Sequence, residues 1–338
     1  MKRGKKLAKR HIITIVSAAA VFVIAAAIVI TNLFIPVKYL SAYFISKKDA
    51  LPSGEMRVTF IDVGYGDSTL IELPDGKTAL IDGGNGRRSN ELKVLKVLNS
   101  KNIDKLDYLV CTSVSAERCG GLVDILKYKK IGKIFMPDCK ITGINESYAA
   151  FALQARKAKE GGAEVEICRY GEIAFSQEYS LCFLSPSGEL QGGEYDKLNS
   201  NPTSENINNA CASVWLEYGG VAFFLAGDMT AKHADKLYNN YIDSGCFEIG
   251  GKKVKLENCN IIKTGNHGDK SCVSTRLYGL LKPLTAIISV GENARGNPSA
   301  EALAEAQKYA GKSIYSTREC GTVTISVSGG KYTVSKEK

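Results

Sequence analysis

From residue 56 onward, short apolar runs alternate with amphipathic segments, the pattern of strands interleaved with helices. Met56–Val63, Ser68–Leu73 and Thr78–Ile81 read as an opening meander, with Pro74-Asp75-Gly76-Lys77 as a hairpin turn. Leu92, Leu95, Val97 and Leu98 are spaced for a helix over Asn90–Ser100, and further helices are predicted over Gly120–Tyr128 and Ser147–Gly161. Glu164–Cys168 and Leu181–Leu184 read as strands, and the polar, turn-rich stretch Gln191–Asn209 predicts a mobile loop. A second half follows: a hairpin of Ser213–Tyr218 and Val221–Leu225 turning at Gly219-Gly220, a helix over Met229–Tyr241, and strands at Cys259–Lys263 and Ala286–Val290. A helix over Ala300–Tyr309 and strands Ser313–Tyr315, Thr322–Val327 and Lys331–Val334 close it. The expected architecture is two half-domains of mixed sheet flanked by helices.

The amino terminus breaks this pattern. Ile12 to Ile35 is an uncharged run of 24 residues, long enough for a helix to cross a bilayer core of about 30 Å. A cleaved signal peptide would carry an apolar region of roughly 7 to 15 residues followed by a small-residue cleavage site; Asn32-Leu33-Phe34-Ile35-Pro36 offers none. Six basic residues precede the run and only Lys38 follows closely, so the positive-inside rule keeps the amino terminus in the cytoplasm and puts the folded domain outside. The expected organisation is a basic cytoplasmic tail (1–11), a transmembrane signal anchor (12–35), a stalk (36–55) bearing Tyr39, Leu40, Tyr43 and Phe44, and one folded domain (56–334). The membrane is thus an expected partner through Ile12–Ile35.

Charge distribution changes what the net charge of +9 means. Residues 1–50 hold nine of the 44 basic residues against one acid, leaving 35 basic and 34 acidic groups, a net +1, for the rest. The folded part lacks the global positive excess that neutralises phosphates, so composition makes no case for nucleic acid as a partner. Ten cysteines show no Cys-x-x-Cys pair. Cys111, Cys168, Cys182 and Cys211 lie in or beside apolar strands, where free thiols act as small hydrophobes; one or more disulfides is the alternative for an exported domain.

The candidate chemistry centres on Cys111-Thr112-Ser113-Val114-Ser115-Ala116-Glu117-Arg118-Cys119-Gly120-Gly121. Together with Val58-Thr59-Phe60-Ile61-Asp62-Val63-Gly64-Tyr65-Gly66-Asp67, Leu80-Ile81-Asp82-Gly83-Gly84 and Asp107-Tyr108-Leu109-Val110, it resembles the metallo-β-lactamase superfamily. Within that superfamily the chain is most similar to the soluble domain of ComEC-type competence proteins, whose loop reads Thr-His-Pro-His-Ala-Asp-His-x-Gly-Gly. Its three histidines fall on Ser113, Ser115 and Arg118 here, and its aspartate on Glu117. Gly219 to Asp228 resembles the family strand ending in Gly-Asp, whose aspartate bridges two metals; Asp228 is kept. Lys263-Thr264-Gly265-Asn266-His267-Gly268-Asp269 resembles Lys-x-x-His-His-Gly-Ser, with Asn266 in place of the first histidine. Ser289 to Ser299 resembles a segment ending in Gly-His-Pro-His, with Asn297 and Ser299 in place of both histidines. The resemblance covers about Met56 to Val334 and implies an αββα sandwich of two mixed β-sheets flanked by helices.

Metal-dependent hydrolysis needs neutral imidazoles and carboxylates converging on the ion, with one position open for a water. A serine hydroxyl is a weak neutral ligand, and a guanidinium is never deprotonated in proteins. The reading is therefore a pseudoenzyme with a vestigial cleft of Ser113, Ser115, Glu117, Arg118, Asp228, Asn266, His267 and Asn297, no expected metal or other cofactor, and a binding or scaffolding role toward an unidentified protein or small molecule. The alternative is a ComEC-like hydrolase, a phosphodiesterase or nuclease tied to DNA uptake, holding zinc or manganese on Glu117, Asp228 and His267. Asp62, Asp67, Asp82 and Asp228 read either as remnants of the site or as turn and cap residues. Loss of the dications would leave carboxylates repelling one another, so Arg118 is expected to pair with Asp228, Asp82 or both.

Overall fold

The computed structural model describes residues 16–29, 41–43, 50–87, 90, 92–141, 143–187 and 192–338. The chain divides into two units, Met1–Lys47 and Lys48–Lys338. In the first, residues 16–29 are helical with exposed apolar side chains such as Val21 and Phe22. Among the described residues no helix is long and apolar enough to cross a membrane. The ends of the expected span, 12–15 and 30–35, and Tyr39, Leu40 and Phe44 of the expected stalk, lie outside the described residues.

The second unit is built on two large sheets. Its strands are β1 (Met56–Phe60), β2 (Thr69–Glu72), β3 (Thr78–Ile81), β4 (Lys105–Val110), β5 (Lys130–Met136), β6 (Glu164–Ile167), β7 (Gly171–Phe175), β8 (Tyr179–Ser185), β9 (Ser213–Tyr218), β10 (Val221–Leu225), β11 (Phe247–Ile249), β12 (Lys252–Val254), β13 (Cys259–Lys263), β14 (Thr285–Ile288), β15 (Ile314–Ser316), β16 (Val323–Ser328) and β17 (Lys331–Lys336). An eight-stranded sheet runs β17-β16-β1-β2-β3-β4-β5-β6 and a seven-stranded sheet β15-β14-β13-β10-β9-β8-β7; β11 and β12 form a separate hairpin. In each large sheet an antiparallel part gives way to a parallel part, at β3–β4 in the first and β10–β13 in the second.

Period-two alternation sorts side chains between layers. On β10, Val221, Phe223 and Leu225 enter the core between the sheets, while Ala222 and Phe224 join a second cluster with Leu237, Tyr241, Leu277 and Leu281 of the covering helices. On β9, Val214 and Leu216 face inward and Trp215 outward. From the first sheet, Val58, Phe60, Ile71, Ile81 and Ile325 fill the central core. Two mixed sheets flanked by helices are what the sequence pattern and the family resemblance imply.

Three departures have physical reasons. The stretch expected as a mobile loop, Gln191–Asn209, holds two helices, Glu194–Ser200 and Ser204–Asn209, in its described part. Leu198 is the one apolar side chain they bury fully, and polar contacts do the rest of the organising. Buried Glu194 accepts from the Ser187 amide at 2.9 Å, the Ser187 hydroxyl at 2.7 Å and Lys236 at 3.1 Å, and Thr203 caps the second helix through the Asn206 amide at 3.2 Å. The opening strand ends at Phe60, short of Val63, because Asp62 turns the chain by accepting from the Gly64 amide at 3.0 Å. A helix over Thr275–Leu281 went unpredicted; Gly279 interrupts its pattern, and its start is fixed by Ser274 capping the Leu277 amide at 3.1 Å.

Candidate functional site

Three acids and two cations converge at the carboxyl ends of strands from both sheets, where α/β folds place their sites. Asp82 follows β3, Thr112 follows β4, Asp228 follows β10 and Lys263 ends β13. Asp67 arrives from the β1–β2 loop, fixed by its amide donating to the Glu117 carbonyl at 3.1 Å. Asp82 holds φ at 60°, a left-handed value rare for a residue with a Cβ. Its carboxylate accepts from the Thr112 amide at 2.8 Å and the Thr112 hydroxyl at 2.7 Å, tying the ends of two adjacent strands together.

Arg118 is the centre of the cluster. It sits on the short helix Ala116–Cys119 and is only 1% exposed. Nε donates to Asp228 Oδ2 at 2.6 Å and Nη1 to Asp82 Oδ2 at 2.8 Å, while Nη2 pairs with Asp228 Oδ1 and Asp67 Oδ2. The grip on Asp228 is bidentate, the strongest geometry a guanidinium offers a carboxylate. The pairing expected with Asp228 or Asp82 is formed with both, and Asp67 is added. Lys263, itself buried, donates to Asp67 Oδ2 at 2.7 Å.

The electrostatics follow from this crowding. Burial pushes the Asp67 carboxyl upward, but Arg118, Lys263 and His267 together outweigh it and hold the group below the usual carboxylate range. Burial raises Asp82 against the pull of Arg118 and the two Thr112 bonds. Burial opposes the charge on Arg118, and the surrounding carboxylates, Asp228 foremost, reverse that and raise it further. The Asp228 amide donates to Cys211 Sγ at 3.1 Å, and burial pushes that thiol up to about 12. Cys119 is also buried, with its thiol raised by burial, so neither sulfur is an activated nucleophile. All ten cysteines are free.

The other residues of the expected cleft take varied places. Ser113 Oγ and Ser115 Oγ bond to each other at 3.2 Å. Asn266 and His267 both lie at left-handed φ, 41° and 57°. His267 is fully buried, with Nδ1 2.9 Å from the Ser289 carbonyl oxygen and 3.8 Å from Asp67 Oδ1, and its ring 4.5 Å from that of Tyr65. Asn297 donates to the Tyr65 hydroxyl at 3.3 Å. Ser299 caps the helix Ala300–Ala310 through the Ala302 amide at 3.1 Å. Asp62 is a turn residue paired with Lys93 at 3.1 Å. His233 lies elsewhere, 3.7 Å from Glu194, and His11 is outside the described residues.

Of the residues expected to hold zinc or manganese in the alternative reading, Asp228 and His267 are brought together and Glu117 is not among them. Among the described residues, the potential metal donors brought within 4.8 Å of one another are Asp67, Asp228 and His267. Glu117 is half-buried and contributes its backbone carbonyl to the site. Even the observed trio does not fit a catalytic metal. Arg118 already neutralises both of its carboxylates, and the cavity lined by Asp67, Asp82, Thr112, Arg118 and Lys263 measures about 10 Å³, room for one water at most. Neither a second imidazole nor an open coordination position is available among these residues.

Lys263 was within reach of sequence reasoning. A lysine ending an apolar strand that runs into a site must find a carboxylate if it is buried, and Asp67 was already a candidate remnant.

No family model matches the chain. It is 26% identical over 287 residues to ComE operon protein 3 of Bacillus subtilis (strain 168), across 80% of this chain and 33% of that protein. It is 25% identical over 245 residues to Recombination protein 2 of Haemophilus influenzae, across 72% of this chain and 25% of that protein. The chain therefore spans about a third and a quarter of the lengths of these relatives. Among solved structures it is similar to a mutant of CmlA beta-hydroxylase (11% identity, TM-score 0.47, 82% of this chain and 55% of that one). It is also similar to a protein assigned as a metal-dependent hydrolase from Parabacteroides distasonis (13% identity, TM-score 0.40, 80% of this chain and 98% of that one).

Proposed function

We propose that this chain, a metallo-β-lactamase-fold protein similar over most of its length to ComEC-type competence proteins, has given up metal-dependent hydrolysis and acts by binding or scaffolding. One observation carries the reading: the Arg118 guanidinium is bonded to Asp67, Asp82 and Asp228 at once. Hydrolysis in this fold needs a cation that lowers the pKa of a bound water and leaves it free to attack. A guanidinium supplies charge but has no coordination position for water and cannot act as a Lewis acid in that way.

The cleft mouth supports binding. Two depressions of about 470 Å³ and 540 Å³ share Tyr65, Asn85, Arg87 and Glu292, sizes in the range of small-molecule sites. The Tyr65 ring forms the connection inward, lying against His267. Arg87 and Arg295 are matched by Glu117 and Glu292 around the larger depression, whereas Arg87, Lys93, Arg318 and Lys338 outnumber Asp62 and Glu292 around the smaller one, so the charge at the mouth is mixed on one side and positive on the other.

The competing reading is a ComEC-like phosphodiesterase or nuclease with a reduced metal site, favoured by the Asp67, Asp228 and His267 trio. The full chain, incubated with zinc or manganese, is expected to turn over phosphodiester and nuclease substrates no faster than a buffer control. Turnover that Asp228→Ala abolishes would establish the competing reading instead.

The proposal extends to location. The apolar run Ile12–Ile35, flanked by basic residues on its amino-terminal side, anchors the chain in the cytoplasmic membrane with the domain outside. Protease added to intact spheroplasts is expected to digest the domain and leave an amino-terminal fragment; full protection of the domain would reverse the orientation.

A further inference from the structure

We infer that the Arg118 guanidinium stands in for the charge of a divalent metal, so that Asp67, Asp228 and His267 remain a latent cation site which Arg118 blocks. The inference rests on the reading of the chain as metal-free, and goes further by assigning the block to one side chain. Three features of the cluster support it.

The first is charge. Asp67, Asp82 and Asp228 are all buried, and a buried carboxylate is stable only when paired or protonated. Arg118 contacts all three, as a dication at this point would, and Lys263 adds a second positive charge at Asp67 alone. The second is the unequal use of donor atoms. Asp67 Oδ2 is taken by Arg118 and Lys263, whereas Asp67 Oδ1 and His267 Nε2 are buried with no hydrogen-bond partner. Most buried polar atoms in folded proteins are satisfied. Here an oxygen and an imidazole nitrogen, both of kinds that zinc and manganese accept, go without a protein partner on two of the three residues, Asp67, Asp228 and His267, that bring donor atoms within 4.8 Å of one another. The third is space. The cavity of about 10 Å³ cannot admit an ion with any water of its own while the guanidinium is present. Truncating Arg118 removes the competing cation and the obstruction together. It leaves in place bonds made at these residues without the Arg118 side chain: the Asp67 amide on the Glu117 carbonyl at 3.1 Å, the Asp228 amide on Cys211 Sγ at 3.1 Å, and the His267 ring Nδ1 at 2.9 Å from the Ser289 carbonyl oxygen.

The test compares the full chain, purified in detergent micelles, with Arg118→Gly and with Arg118→His, which returns an imidazole to the loop. Each is heated with EDTA, with zinc and with manganese. The wild-type midpoint is expected to be insensitive to metal. Both variants are expected to melt lower in EDTA and to recover roughly 5 °C or more at a metal concentration about a hundredfold above Kd. A variant too unstable to fold in EDTA is expected to yield folded, soluble protein when refolded with metal. Metal-insensitive variants beside a metal-insensitive wild type, or variants that stay unfolded with either metal, would overturn the inference alone. A wild-type midpoint raised by metal would instead overturn the metal-free reading on which it rests.

Discussion

Replacing Arg118 with alanine should lower the free energy of unfolding by about 3 to 5 kcal/mol, the usual cost of breaking a buried ion pair from one side. The loss comes less from the bonds than from what they leave behind. Asp82 and Asp228 would lose their only charged partner among the described residues, and Asp67 would keep Lys263. Like charges at this separation, shielded from water, must either protonate or draw solvent into the core. Combining Arg118→Ala with Asp228→Asn should recover part of the loss, because one of the stranded charges is then removed and the two sites are in contact. Arg118→Lys should fall between, since an ammonium cannot hold Asp228 in two parallel bonds and reach Asp82 as well. Urea denaturation of the four proteins measures this. A loss below about 1 kcal/mol for Arg118→Ala would show that the pairs contribute no more than surface salt bridges do.

Gly121→Ala should be nearly as damaging, by about 3 kcal/mol, although no charge is touched. Gly121 lies at φ −75° and ψ −18°, where alanine is at ease, so the cost is purely steric. A Cβ there would overlap the Gly83 carbonyl oxygen and lie 2.8 Å from its carbon, and both are backbone atoms with no rotamer to change. The segments cannot part cheaply. The Gly83 amide donates to the Arg118 carbonyl at 2.8 Å and the Gly121 amide to the Gly84 carbonyl at 2.9 Å. The same contacts set the position of Arg118, so Gly121→Ala should also loosen the cation cluster. Thermal unfolding followed by circular dichroism checks the prediction, and an unchanged midpoint would mean that the two glycine pairs separate without penalty.

How much of this could be read from residues alone depended on what kind of force fixes each part. β9 and β10, where Trp215 and Phe224 alternate with Val214, Leu216 and Phe223, announce themselves by period-two burial and were found with their boundaries. β5 was not, because Lys130 and Lys133 occupy two of its positions and its burial is confined to one end. The helices Glu194–Ser200 and Ser204–Asn209 are held by side-chain hydrogen bonds, which leave no periodic signature. At the site, the substitution of imidazoles by Ser113, Ser115, Arg118, Asn266 and Asn297 was visible against the family motif, and electrostatics alone led from there to the pairing of Arg118. The role of Asp67 was harder to read. It depends on the β1–β2 loop folding back against Glu117, a contact between residues 50 positions apart in the chain that the motif does not encode.

Metal stoichiometry of the unaltered full chain tests the central claim most directly. After incubation with excess zinc or manganese and removal of free ion, the account predicts well under one metal per chain, because Arg118 already occupies the carboxylates that an ion would need. One or two tightly held ions per chain would contradict it and return the protein to the metal-dependent hydrolases.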